Sequence, residues 1–216
     1  MVSTVCERQR RPPSSVPGAT RTGVPHPNNS VLPRYTGPHK KRLDVLFVGE
    51  SGGREECDQG LAFVGPSGHL LQEVVSQMGP NLAVGYDNVC RDLDWAGKPP
   101  FDRLEEMSQY VKRLIEKDKP RCVVLCGEYA LRAFGYEEKP TVAAGLELDP
   151  GILGSVHPAY VLRNPGEACY LTAVTNQVKR ILSHGPQGPS VVQLDAPDGF
   201  ERYRTGEKFA FDLETT

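Results

Sequence analysis

The sequence predicts an α/β fold of three layers, with helices on both faces of a mostly parallel, four-stranded central sheet. Short apolar runs alternate along the chain with longer stretches whose apolar residues recur at helical spacing. Strands separated by helices are joined by right-handed crossovers and pair in parallel, which buries both sheet faces. A third observation is positional. The polar clusters Gly49-Glu50-Ser51-Gly52-Gly53, Asn88 and His157-Pro158 each close an apolar run, and such sheets place their chemistry beyond the carboxyl ends of the strands.

The elements follow in order. Residues 43–50 (LDVLFVGE) form a short apolar run ended by turn residues, which suits a buried strand. Residues 66–78 carry Leu70, Leu71, Val74, Val75 and Met78 on one helical face, and Gly79-Pro80 stops them. Residues 84–89 suit a second strand. Residues 102–117 give the clearest helix, with Leu104, Met107, Tyr110, Val111, Leu114 and Ile115 on one stripe and Pro120 beyond it. A strand over 122–127 leads into a short helix through Leu131 and Phe134. Residues 152–156 form the fourth strand. The last helix, 168–182, turns Leu171, Val174, Val178, Ile181 and Leu182 inward before Gly185. Residues 190–194 suit one further strand.

Composition narrows the class. No apolar run approaches the roughly 20 residues of a membrane span, and six irregularly spaced cysteines in 216 residues do not make a disulfide scaffold. The thiols read as reduced, which suits a cytoplasmic setting. The net charge of −2 is unevenly spread: residues 1–43 hold eight Lys and Arg against Glu7 alone, leaving −9 for the rest. With seven of the 19 prolines and no apolar periodicity, residues 1–42 read as a disordered basic tail. It is either a solvated leader or a tether for phosphate backbone. The organisation expected is that tail, a domain over 43–185, a linker over 186–207 and a separate start at 208–216.

Residues 49–65 (GESGGREECDQGLAFVG) are glycine-rich but lack both the Gly-Lys-Ser/Thr ending of a phosphate loop and the dinucleotide spacing. Glycines let backbone approach a ligand closely, and Glu50 and Glu56 sit among them. On residue type alone the segment suits a site or a solvated loop equally. Phe63 alone suits a core, Asn88 a turn, and His157 a strand-end histidine bonded to backbone.

Taken with 157–165 (HPAYVLRNP), the pattern resembles the uracil-DNA glycosylase superfamily, in particular its phage-type and thermophile-type branch. That branch carries Gly-Glu-x-Pro-Gly, then acids, then Gly-x-Pro-Phe-Val-Gly, and later His-Pro-x-x-x-Leu-Arg. Gly49 through Gly65 and His157 through Arg163 match in register. The resemblance spans residues 44–184. It implies hydrolysis of the N-glycosidic bond of uracil in DNA by a monomer. By the same resemblance, Phe63 stacks on the extruded base and Asn88 reads its edge, with Gly49, Ser51 and Gly53 around it. His157 hydrogen-bonds the uracil oxygen. Glu50 or Glu56 positions water or excludes a thymine methyl. Leu162 and Arg163 wedge into the duplex.

The chain departs from the branch in three places. The branch holds an iron–sulfur cluster on four cysteines. Here Cys6 has no partner two or three residues away, Asp92 and Met107 stand where two ligands are expected, and Cys122 and Cys126 sit in an apolar strand; no cluster is expected. Gly52 replaces a proline, loosening the first loop. Asp92-Leu93-Asp94 replaces a basic segment. These changes leave as the alternative a degenerate module that binds DNA or senses uracil without cutting, and as a third reading a purely structural domain. Finally, 211–215 (FDLET) resembles the first motif of DnaQ-like 3′–5′ exonucleases, as in family A DNA polymerases. There Asp212 and Glu214, on one face of a strand, would hold divalent metal such as Mg in an intact domain. The expectation is a glycosylase module at the front of a phage-like DNA replication protein, continuous with a downstream exonuclease and polymerase.

Overall fold

The computed structural model describes residues 30–38, 42–91 and 101–189. Strands β1 (Arg34–Thr36), β2 (Val45–Ser51), β3 (Val84–Cys90), β4 (Cys122–Cys126), β5 (Glu147–Asp149) and β6 (Ile152–Ser155) form one sheet in the order β1-β3-β2-β4-β6-β5. The central four are parallel and the two edges antiparallel. The helices are α1 (Arg54–Gln59), α2 (Pro66–Met78), α3 (Leu104–Asp118), α4 (Glu128–Ala133), α5 (Pro140–Ala143), α6 (Pro158–Arg163) and α7 (Cys169–His184).

Strand alternation builds the core. Val45 and Phe47 of β2 lie beside Cys122 and Val124 of β4 and face α2 and α7, through Leu71, Val74, Val178 and Ile181. Leu46 and Val48 lie beside Val123 and Leu125 and face α3 and α4, through Val111, Leu114, Ala130 and Leu131. Each apolar strand thus feeds two cores, which is why it reads as an unbroken hydrophobic run.

The expected four-stranded sheet is present as the parallel centre, and β1 and β5 correct the count to six. Each is three residues long, too short for alternation to register. The strand β1 also corrects the expected tail boundary at residue 42. Val31 is buried, and residues 31–36 dock through Val31 N–H to the Arg91 carbonyl (2.6 Å) and Leu32 N–H to the Gly60 carbonyl (2.9 Å). The segment 49–65 contains helix α1, where the sequence reading gave none. Residues 1–29, the acidic Asp92-Leu93-Asp94, the 190–194 strand and Asp212 and Glu214 lie outside the described residues. Among those described, no helix is long and apolar enough to cross a membrane.

Burial sets what substitutions do. Truncating Phe47, 1% exposed between β-strand neighbours and α2, costs about 3–5 kcal/mol in Phe47→Ala. Val142→Ala, at 55% exposure, stays within about 0.5 kcal/mol. Urea unfolding of the two variants checks both.

Candidate active site

The carboxyl ends of β2, β3 and β6 open onto one cleft of about 300 Å³. Ser51, Gly53, Glu56, Phe63, Asn88 and His157 line it, so six of the residues singled out in the sequence converge. Arg54, Glu55, Pro66, Ser67 and Ala159 line it too and were missed. Pro66 at the first position of α2, behind Gly65, was the available signal, since it places Ser67 in that helix's first turn.

Close approach fixes the floor. Gly49 pairs in register with Asn88, and a Cβ at Gly49 would lie 2.5 Å from both the Asn88 Oδ1 and the Phe63 Cζ. Only a residue without a side chain lets the carboxamide and the ring share that space. Phe63 itself has φ +54°, and its carbonyl is held under α2 where a Cβ on Gly68 would come within 1.7 Å. Its ring belongs to a file running out of the core. Phe47 stacks on Tyr86 (5.7 Å), Tyr86 tilts against Phe63 (6.0 Å), and Phe63 stacks on His157 (6.1 Å, 23°). Arg34 lies over the Tyr86 ring at 4.2 Å and donates from Nε to the Ala62 carbonyl at 3.0 Å. A cation assigned by sequence to the tail is therefore part of the support beneath the cleft. No hydrogen bond to the Asn88 carboxamide forms among the described residues, although Asn88 is 2% exposed.

The two glutamates separate. Glu56 is buried, and its carboxylate accepts the Gly65 N–H (2.7 Å) and the Gly53 N–H (3.0 Å). It closes the glycine-rich loop on itself and caps α1. Glu50 does not line the cleft. Its Oε1 lies where a Cβ on Gly127 would be 2.9 Å away, and that same Cβ would be 3.1 Å from the His157 Cβ. The Glu50 carboxylate therefore sits beside the root of His157.

His157 is the N-cap of α6, and its Nδ1 accepts the Ala159 N–H at 3.2 Å. An accepting Nδ1 carries no proton, so the neutral ring keeps its proton on Nε2. Burial and then the nearby Arg163 charge push its pKa down to about 4, against a weaker upward pull from Glu56. The helix N-terminus favours the same neutral form. Leu162 (45% exposed) and Arg163 lie in the last turn of α6 and face solvent beside the cleft.

The cysteines do not make a cluster site among the described residues. No group of three or more His, Cys, Asp or Glu side chains converges there. Cys122 and Cys126 are buried in β4, and burial pushes both thiols up to about 12, the reverse of what a thiolate ligand needs. Cys90 is buried in β3 and Met107 packs on the α3 core.

The lowered pKa has a measurable sign. Because the folded ring binds its proton less readily than the unfolded one, the folded state loses stability as pH falls from about 6.5 through about 4. The His157 Cε1–H resonance titrates with a midpoint near 4 in an NMR pH series; a midpoint at or above 6.5 contradicts the burial argument.

The comparisons with known proteins follow the same residues. The family model for the uracil DNA glycosylase superfamily matches residues 36–181. The chain is similar to the type-4 uracil-DNA glycosylase of Archaeoglobus fulgidus, 32% identical over 97 residues, 44% of this chain and 48% of that protein. It is 31% identical to the type-4 uracil-DNA glycosylase of Thermotoga maritima over 132 residues, 56% of this chain and 67% of that protein. It is 30% identical to the type-4 uracil-DNA glycosylase of Pyrobaculum aerophilum over 148 residues, 60% of this chain and 73% of that protein. The chain thus spans about half the length of the first of these and two thirds or more of the others. With a sheet, a cleft and both motif segments inside the matched region, the chain belongs to the uracil DNA glycosylase superfamily.

Proposed function

We propose that the chain is a monomeric, monofunctional hydrolase that cleaves the N-glycosidic bond of uracil in DNA. The observation that carries this reading is His157, whose Nδ1 accepts the Ala159 N–H on the wall of a cleft that also holds Phe63 and Asn88.

The chemistry follows from those groups. The target nucleotide leaves the base stack at a cost of a few kcal/mol. Phe63 recovers part of it by stacking. The Asn88 carbonyl accepts the uracil N3–H while its amide donates to O4, a pattern that cytosine, with a donor at C4 and an acceptor at N3, cannot match. As the glycosidic bond lengthens, positive charge grows on the sugar and negative charge on the base. The Nε2–H of His157 donates to the uracil O2 as that charge develops. Glu56 has both oxygens on backbone amides, so it positions the loop. Glu50, beside the root of His157, contributes its carboxylate charge from behind that ring. Leu162 and Arg163 fill the gap left in the duplex.

The reading carries no iron–sulfur cluster, given the donor set above. It extends to the chain's last residues, where Asp212 and Glu214 support a first exonuclease motif, and with it a place at the front of a phage-like DNA replication protein acting in the cytoplasm.

The test is release of free uracil from an oligonucleotide with one deoxyuridine. The wild-type chain turns over, and His157→Ala lowers kcat about 10²–10³-fold. Tight binding without release supports the degenerate alternative, and full activity in His157→Ala overturns the assigned role.

A further inference from the structure

Behind Asn88 lies a buried charge that the glycosylase chemistry does not use. Asp87 is 0% exposed on the α3 face of β3. Its Oδ1 accepts the Asn88 backbone N–H (2.8 Å) and the Arg91 Nε–H (2.9 Å), and its Oδ2 accepts from the Arg91 Nη2. The Arg91 guanidinium lies 5.4 Å over the ring of Tyr110 on α3, and the Arg91 carbonyl accepts the Val31 N–H at 2.6 Å. A buried carboxylate is expensive unless it is fully paired, and this one is paired on both oxygens. One of its bonds ends on the backbone of the residue assigned to base reading.

We propose that Asp87, Arg91 and Tyr110 form a positioning unit that fixes Asn88 in the cleft. The inference rests on the glycosylase reading only for the identity of the base that Asn88 reads. Arg91 ties together three segments: the approach to β1 through Val31, the end of β3 through Asp87, and α3 through Tyr110. A planar guanidinium serves such a corner where lysine does not, because it bonds a carboxylate twice and stacks on a ring at once.

Three readouts test the unit. Backbone hydrogen exchange of Asn88 quickens in Arg91→Ala by about tenfold or more while that of Val124 in the sheet centre does not. Equal acceleration of both, or none at Asn88, overturns the proposal, whatever the enzyme's activity. In single-turnover uracil release, Arg91→Ala is slower by about 10²-fold and Arg91→Lys recovers only part of it. The Arg91→Ala/Asn88→Ala double variant is no slower than Asn88→Ala alone, because the two act as one unit. Penalties that multiply overturn the positioning role. A wild-type chain that releases no uracil defeats the functional reading, while the exchange measurement still decides the positioning one.

Discussion

On the proposed reading a single imidazole has to stay neutral in a cleft that also admits a base, and the arrangement around His157 can be understood from that demand. His157 meets it by burial, by capping a helix through Nδ1 and by lying near Arg163. Its ring is the outermost of a file that begins with Phe47 in the core and passes through Tyr86 and Phe63. Close packing of this kind transmits position with little slack. The sheet thus sets where the imidazole sits, and Gly49 supplies the missing side chain that lets Phe63 and Asn88 share the space beneath it.

Carboxylates divide between chemistry and construction. Glu56 and Asp87 are both buried, and each spends its oxygens on neighbours: Glu56 on two backbone amides, Asp87 on one amide and a guanidinium. Removing one partner of such a buried pair typically costs about 3–5 kcal/mol, because the other is left uncompensated. Glu50 differs in lying at the root of His157. The loosening expected from Gly52 in place of proline is countered by Glu56, which ties the loop at Gly53 and Gly65. A flexible backbone is held by a side chain rather than by a ring.

Much of this was legible in the sequence. The central strands β2 and β4 were readable because each is apolar on both faces, and α2 was readable to the residue because Pro66 opens it and Gly79 closes it. The convergence of Phe63, Asn88 and His157 was legible through strand ends, since a parallel sheet brings its carboxyl termini to one edge. What was not legible was short or tertiary. The edge strands β1 and β5 carry too few residues to show a period. Arg34 looked like one more charge in a basic tail, and only the fold lays it over Tyr86. The separate duties of Glu50 and Glu56 depend on which backbone amides lie within reach, and spacing along the chain does not encode that. Asp87 and Arg91 carried no motif; their pairing was an (i, i+4) relation on a strand end, outside the helical context where that spacing is informative.

The proposed chemistry turns on where one proton resides. Two-bond ¹H–¹⁵N correlation of the His157 ring at neutral pH reports it directly. The structure predicts a protonated Nε2 and a bare Nδ1. A proton on Nδ1, or a doubly protonated ring, would leave the cleft without its donor to the departing base and contradict the mechanism at its first step.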